Sequence, residues 1–433
     1  MRWNRPGRIG LAVLLLAADA SAQGASSRIE VTTPHYELVG WGTEEEVRGW
    51  GSLLEQCYLE LEEVLLARPK GEARLKFFMD RDADARRGTL LAAGLAAPSV
   101  AEPAWFSPED RGLYAFRGES AVFARMMVVY GCVLQFHGTC KPKNLDLDVA
   151  WYVQGLAQTM CVHAWDGKRA EFAVKPRLCV IDYPSRAIEA LGGKRFGEDL
   201  WNEQRMEDPY VNWAAVRFAL FDGDAKYRAK FQKLALGHTG SKVSGRDFLR
   251  SLGREKDVTE EFRTWLVAAQ YPIAVVHGDW EDRPDGRIEG GPSMEGELAA
   301  AVLREPRAHL AARLNASKDE RLVKALLLGW ESERNYVLGH VVPPHFVVEF
   351  VRDGQQVDQA RYALPDPAAD SVLVEVDRLE TKAGAIRKQV AERPGSVRVV
   401  VDGKDLGKLA VYDGPLGLAV MGGRAVFSDI AFR

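Results

Sequence analysis

Residues 125–163 read RMMVVYGCVLQFHGTCKPKNLDLDVAWYVQGLAQTMCVH, two apolar stretches joined by a polar turn. The first spaces its apolar residues as a helix from about Ala121 to Phe136, the second from about Val149 to Val162. Asp146 or Asp148 is placed to cap the second helix. Two helices joined in this way can turn two sets of side chains into one cleft, and the rest of the chain is read outward from that pair.

Trp151-Tyr152-Val153-Gln154-Gly155-Leu156-Ala157-Gln158 is similar to the Trp-x-x-Glu-Gly-Leu-Ala-Glu segment of the peptidase-MA-like gluzincin families. Leu134-Gln135-Phe136 resembles the end of their His-Glu-x-x-His-Gln-Phe segment. Those families place two zinc-binding histidines and a Glu base on the first helix and a third, carboxylate ligand on the second. In that register Tyr130 and Leu134 stand for the histidines, Gly131 for the base and Gln154 for the third ligand, with Gln158 one turn further on. Leucine has no donor atom, glycine cannot take a proton from water, and glutamine keeps the shape of Glu without its charge. A phenol with a reference pKa of about 10 stays protonated at neutral pH. Zinc hydrolysis needs three protein ligands and an activated water. The resemblance therefore implies a zincin-type α+β domain over residues 29–270 with no catalytic residue, no cofactor and zinc expected to be absent.

The chain has 433 residues, 47% of them hydrophobic and 27% charged, which suits two or three ordinary domains. A net charge of −4 gives no basic excess to recruit nucleic acid. Residues 1–22 have a secretory pattern: Arg2, Arg5 and Arg8, an apolar run from Ile9 to Ala18, and Ala20-Ser21-Ala22 as cleavage site before Gln23. Residues 23–28 make a short linker, and no later segment reads as a membrane span. The chain is expected to be secreted or periplasmic. Of its five cysteines, Cys57, Cys132, Cys140, Cys161 and Cys179, some are expected to pair, with a connectivity that spacing does not fix.

Around the central pair, 29–39 alternates as strand about Pro34, and 43–66 reads as a helix opening on three glutamates. Residues 73–79 read as strand, 83–104 as helix then loop, and 104–106 with 112–116 as a hairpin. Helices are expected at 209–218, 226–236, 244–252 and 258–269. From Tyr271-Pro272 onward, short strands such as PHFVVEFV, SVLVEV and SVRVVVDG alternate with Asp-Gly turns, the pattern of an all-β sandwich. Val400-Val401-Asp402-Gly403, Gly414-Pro415-Leu416-Gly417-Leu418 and Ala425-Val426-Phe427-Ser428-Asp429-Ile430 resemble the last three strands of concanavalin A-like and laminin-G-like jelly rolls, including those of 3-keto-disaccharide hydrolase families. The resemblance implies a jelly roll over residues 271–433.

Trp280, Trp330, Asn335, Tyr336 and His345 are the candidate sugar contacts, since aromatic faces pack on sugar rings while amides and imidazoles bond hydroxyls. Core filling is the more frequent role of such tryptophans. His137, Cys140, Cys161 and His163 offer an alternative zinc set, with a disulfide through Cys140 or Cys161 as its competitor. Asp279, Glu281, Asp282 and Asp285 could hold calcium, although a solvated acidic turn fits the spacing better. Tyr210 and Trp213, three apart on a helix, read as core or as substrate-contact remnants. The expectation is an exported, non-catalytic pseudo-metallopeptidase with a lectin-like domain, binding protein or glycan at the cell envelope. The alternatives are a metal-dependent hydrolase with unconventional ligands and a structural envelope protein.

Overall fold

The computed structural model describes residues 28–432 apart from 70–72, 97–102, 119, 141–150, 193–199, 201–207, 238–243, 295–296, 305–308, 317–320, 380–394 and 413. The expected signal sequence and both candidate caps, Asp146 and Asp148, lie outside the described residues.

Strands β1 (Arg28–Thr32) and β2 (Tyr36–Trp41) pair antiparallel about Pro34. Helix α1 (Glu44–Leu65) starts at Thr43, whose hydroxyl accepts from the Glu46 N–H while the Glu46 carboxylate accepts from the Thr43 N–H. Three glutamates in its first turn face the positive end of the helix dipole. Strand β3 (Leu75–Asp80), helix α2 (Ala83–Ala92) and the hairpin β4 (Ala104–Phe106) and β5 (Gly112–Phe116) complete a sheet of order β1-β2-β3-β5-β4. Its inner strands are parallel and its two edges antiparallel.

Helices α3 (Ala121–Cys140) and α4 (Trp151–Cys161) pack together, and α3 also meets α1 and β5. At 20 residues, α3 is long and apolar enough by length and composition to cross a membrane, which corrects the expectation that no such segment follows the leader. Its apolar window is 72% buried, because it is the core helix of this unit, covered on several sides. A short hairpin, β6 (His163–Trp165) and β7 (Ala170–Phe172), then leads to α5 (Tyr183–Ala190) and α6 (Pro209–Arg217), which runs on as a π-turn over Phe218–Asp222. Helices α7 (Ala225–Gly237), α8 (Gly245–Leu252) and α9 (Glu255–Ala268) follow. A Cβ on Gly155 of α4 would lie 2.4 Å from the Asn212 carbonyl oxygen of α6, so only glycine permits this helix approach.

Between Ala268 and Ile273 the chain changes from helix to strand. One seven-stranded sheet runs β19 (Lys404–Val411), β18 (Gly395–Val401), β17 (Ser371–Arg378), β12 (His309–Asn315), β21 (Ala425–Phe432), β10 (Ile288–Gly291), β9 (Asp279–Asp282). The second runs β16 (Gln355–Ala363), β15 (His345–Arg352), β14 (Asn335–Val342), β13 (Val323–Ser332), β20 (Gly417–Met421), β11 (Leu298–Leu303), β8 (Ile273–His277). Alternate residues of the first sheet, such as Val372, Val374, Val376 and Val399, meet Leu326, Leu328, Phe346 and Val348 of the second in one core. Each fully buried side chain of this kind contributes roughly 1.5–3 kcal/mol. The chain is thus α+β, with a β-sandwich at its C-terminal end.

Candidate functional site

The positions singled out on the helix pair are packed against neighbouring elements. A Cβ on Gly131 would stand 2.4 Å from Leu113 Cδ1 of β5, so the backbone of α3 lies directly on the sheet. Leu134 is buried and Tyr130 and Gln154 are half-buried. Gln158 is buried with its Oε1 enclosed and without a hydrogen-bond partner. His137 Nε2 lies 2.9 Å from Tyr152 Oη, joining α3 to α4. Burial raises the Tyr152 pKa, so the phenol keeps its proton at neutral pH.

His137, Cys140, Cys161 and His163 do not come together as one cluster in the described residues. Among the described residues no three His, Cys, Asp or Glu side chains stand together as metal ligands. The Cys161 thiol donates to the Gln158 carbonyl at 3.1 Å, and His163 Nδ1–H donates to the Cys161 carbonyl at 2.8 Å. Trp213 is core, stacked on Tyr183 at 5.4 Å, and Tyr210 packs on the same ring.

The acidic run at Asp279–Asp285 is taken up by the helical unit and by arginines, so it is a clasp rather than a calcium loop. Asp279 accepts from the Ala121 N–H at 3.1 Å and caps α3. Glu281 pairs with Arg125 of α3 and, at 3.3 Å, with Arg424 in the turn between β20 and β21. Asp282 accepts from the Arg177 N–H at 2.5 Å and from its Nε at 2.8 Å, while Asp285 pairs with Arg287. Leu178 enters the sandwich core from the helical side of this clasp. The groups enclose a small cavity lined by Arg125, Met126, Cys161, His163, Leu178 and Trp280. His163 Nε2 is enclosed there with no hydrogen-bond partner. Burial first, and then the neighbouring Arg125, hold its imidazole down to about 3.

The five candidate sugar contacts separate. Trp280 lies in the inter-sheet core, 1% exposed, with its ring 6.0 Å from that of Phe427 and its Nε1–H bonded to the His277 carbonyl at 2.8 Å. Gly290 leaves room for it, since a Cβ there would stand 2.3 Å from the indole. Trp280 is therefore a core side chain of the sandwich. Asn335 is used in a turn, accepting from the Asp353 N–H at 2.9 Å. Trp330 and Tyr336 pair across β13 and β14 with stacked rings 5.8 Å apart at 18°. Together with Leu327, Leu338 and Val351 they form a cluster separate from the inter-sheet core, on the opposite face of the second sheet.

That face continues across β14, β15 and β16 as a polar row the sequence reading missed. His340 Nε2 lies 3.4 Å from Glu349 Oε1. Gln359 Nε2–H donates to Glu349 Oε1 at 3.1 Å, and Arg361 Nε–H donates to Gln359 Oε1 at 3.2 Å. The His340 ring beside it holds the Glu349 carboxyl below its usual range, so it is ionised and accepting. Gln359 and Arg361 are exposed, and strand alternation sets His345 on the same face as Glu349. A lone Glu in the apolar run of HFVVEFVR was the signal available for this row.

No protein-family model matches the chain. No curated protein matches it either. Among solved structures it is similar to the carbohydrate-binding module CBM66 from Bacillus subtilis, at 14% identity and a TM-score of 0.28, over 37% of this chain and 93% of that one. It is similar to sheep galectin-11 at 12% identity and a TM-score of 0.23, over 32% of this chain and 98% of that one. A protein of unknown function with a galectin-like fold from Bacillus subtilis matches at 11% identity and a TM-score of 0.25, over 36% of this chain and 87% of that one. The sandwich described above is defined by its own sheet order and core.

Proposed function

We propose that this chain is an exported, non-catalytic glycan-binding protein of the cell envelope. In this reading a gluzincin-like scaffold, its metal site filled by packing, carries a lectin-like sandwich. The observation that carries the reading is the row of Glu349, Gln359 and Arg361 on one sheet face, of which Gln359 and Arg361 are exposed, while the Trp330–Tyr336 stack on the same face is packed at 8% and 9% exposure. A carboxylate, an amide and a guanidinium at strand spacings of about 4.8 Å can bond neighbouring hydroxyls. The gluzincin-like scaffold is supported by the strand–helix–strand–helix–hairpin order that leads into α3 and α4 and by the Trp151–Gln158 segment. Export is supported by the pattern of residues 1–22.

A glycan array with the whole chain tests this, followed by titration of any ligand found. Gln359→Ala, at an exposed position, is expected to weaken binding by tenfold or more, equivalent to about 1.4 kcal/mol. Arg361→Ala, also at an exposed position, is expected to weaken it with no change in melting temperature. Glycan binding that both variants retain at wild-type strength would remove this face from the account.

A further inference from the structure

The polar row on the outer face of the second sheet has its acceptors in use and its donors to spare. Glu349 Oε1 accepts from Gln359 Nε2–H at 3.1 Å and lies 3.4 Å from His340 Nε2. Gln359 Oε1 in turn accepts from Arg361 Nε–H at 3.2 Å. Gln359 thus stands between Glu349 and Arg361, and the carboxylate does not occupy the guanidinium. Glu349 is half-buried, while Gln359 and Arg361 are exposed on the edge strand β16. Among the described residues the terminal nitrogens of Arg361 have no partner, so its planar fork of N–H donors is open to solvent. Lys404 of β19 reaches the same end of β16, donating from Nζ to the Ala363 carbonyl at 3.2 Å. Asp358, the acid of β16, stands opposite the core residue Phe350 and so on the other face of the strand. Two exposed cations therefore stand against one half-buried carboxylate that is already engaged.

We infer that this face takes acidic saccharides, its ligand a chain whose sugar carboxylate Arg361 grips through two parallel N–H···O bonds. The inference rests on the glycan-binding reading of the same face. A guanidinium fork matches a carboxylate in spacing and in plane, and bonds between two charged groups are the stronger kind. A neutral hydroxyl takes one such bond and brings no charge. Gln359 Nε2 keeps its second N–H for a neighbouring hydroxyl. Lys404, exposed at the edge, adds an attraction that salt screens.

The test titrates the full chain with a tetragalacturonide and with its fully methyl-esterified form, probes of equal length that differ in charge. The acid is expected to bind roughly tenfold or more tighter than the ester. Its binding is expected to weaken as sodium chloride rises from about 0.05 to about 0.5 M. Arg361→Gln, at an exposed position, is expected to keep the wild-type melting temperature and to bind acid and ester alike. Equal binding of acid and ester by the wild type, or a preference for the acid that Arg361→Gln retains, would overturn the inference and leave glycan binding standing. Binding to neutral glycans of the array alone would do the same. A chain that binds neither probe and no glycan on the array would overturn both readings.

Discussion

Lowering the pH from about 7 to about 4.5 is expected to remove roughly 2–3 kcal/mol of stability through His163 alone. The imidazole is enclosed at the clasp with Nε2 unpartnered, and burial with Arg125 beside it holds its folded pKa down to about 3. The unfolded chain titrates near 6.5. Below that value the unfolded state takes a proton that the folded state refuses. The stability is therefore whole above about 6.5 and is lost as the pH falls toward 3. Glu281 and Asp282 at the same clasp are raised by burial and titrate in the opposite sense, so the comparison must be made within one variant pair. Urea unfolding of wild type and His163→Gln at both pH values isolates the effect. The variant should keep most of what the wild type loses, and equal losses in the two proteins would contradict the account.

Placing a carboxylate on α3 with Gly131→Glu is expected to cost roughly 3 kcal/mol or more, and to produce no hydrolysis even alongside Tyr130→His and Leu134→His. The position has no space, since even a Cβ would meet Leu113 Cδ1 at 2.4 Å, and Leu113 is fully buried against the sheet. Overpacking of this kind costs about 1–3 kcal/mol, and enclosing an unpaired carboxylate adds to it. Gly131→Ala should fall between wild type and Gly131→Glu in urea midpoint. A Gly131→Glu protein as stable as wild type would mean that α3 does not sit on β5 as described.

Local signals made much of the helical unit legible. The glutamates of its first turn announced the start of α1, and periodicity placed α3, α4 and the closing helices near their observed spans. What the sequence could not show was which face a strand residue takes. VKALLLGW in β13 is apolar on both sides, and irregular register at Leu327–Gly329 and again at Trp330–Ser332 breaks simple alternation. Trp280 and Trp330 therefore read alike, although one fills the core and the other stacks on Tyr336 on the far face. The acidic run read as solvated or calcium-binding because its partners are remote: Arg125 is 156 residues from Glu281, and Arg177 is 105 from Asp282. The strand order hid the same kind of information, since β20 inserts between β13 and β11 while β21 inserts between β12 and β10.

The central claim is that the helical unit is a scaffold without a catalytic metal and that binding belongs to the sandwich face. Elemental analysis of protein purified without chelators, and again after incubation with zinc and desalting, tests it most directly. The account predicts zinc far below one ion per chain in both samples. Near-stoichiometric zinc that survives desalting would contradict it and would return α3 and α4 to the role of a hydrolytic centre.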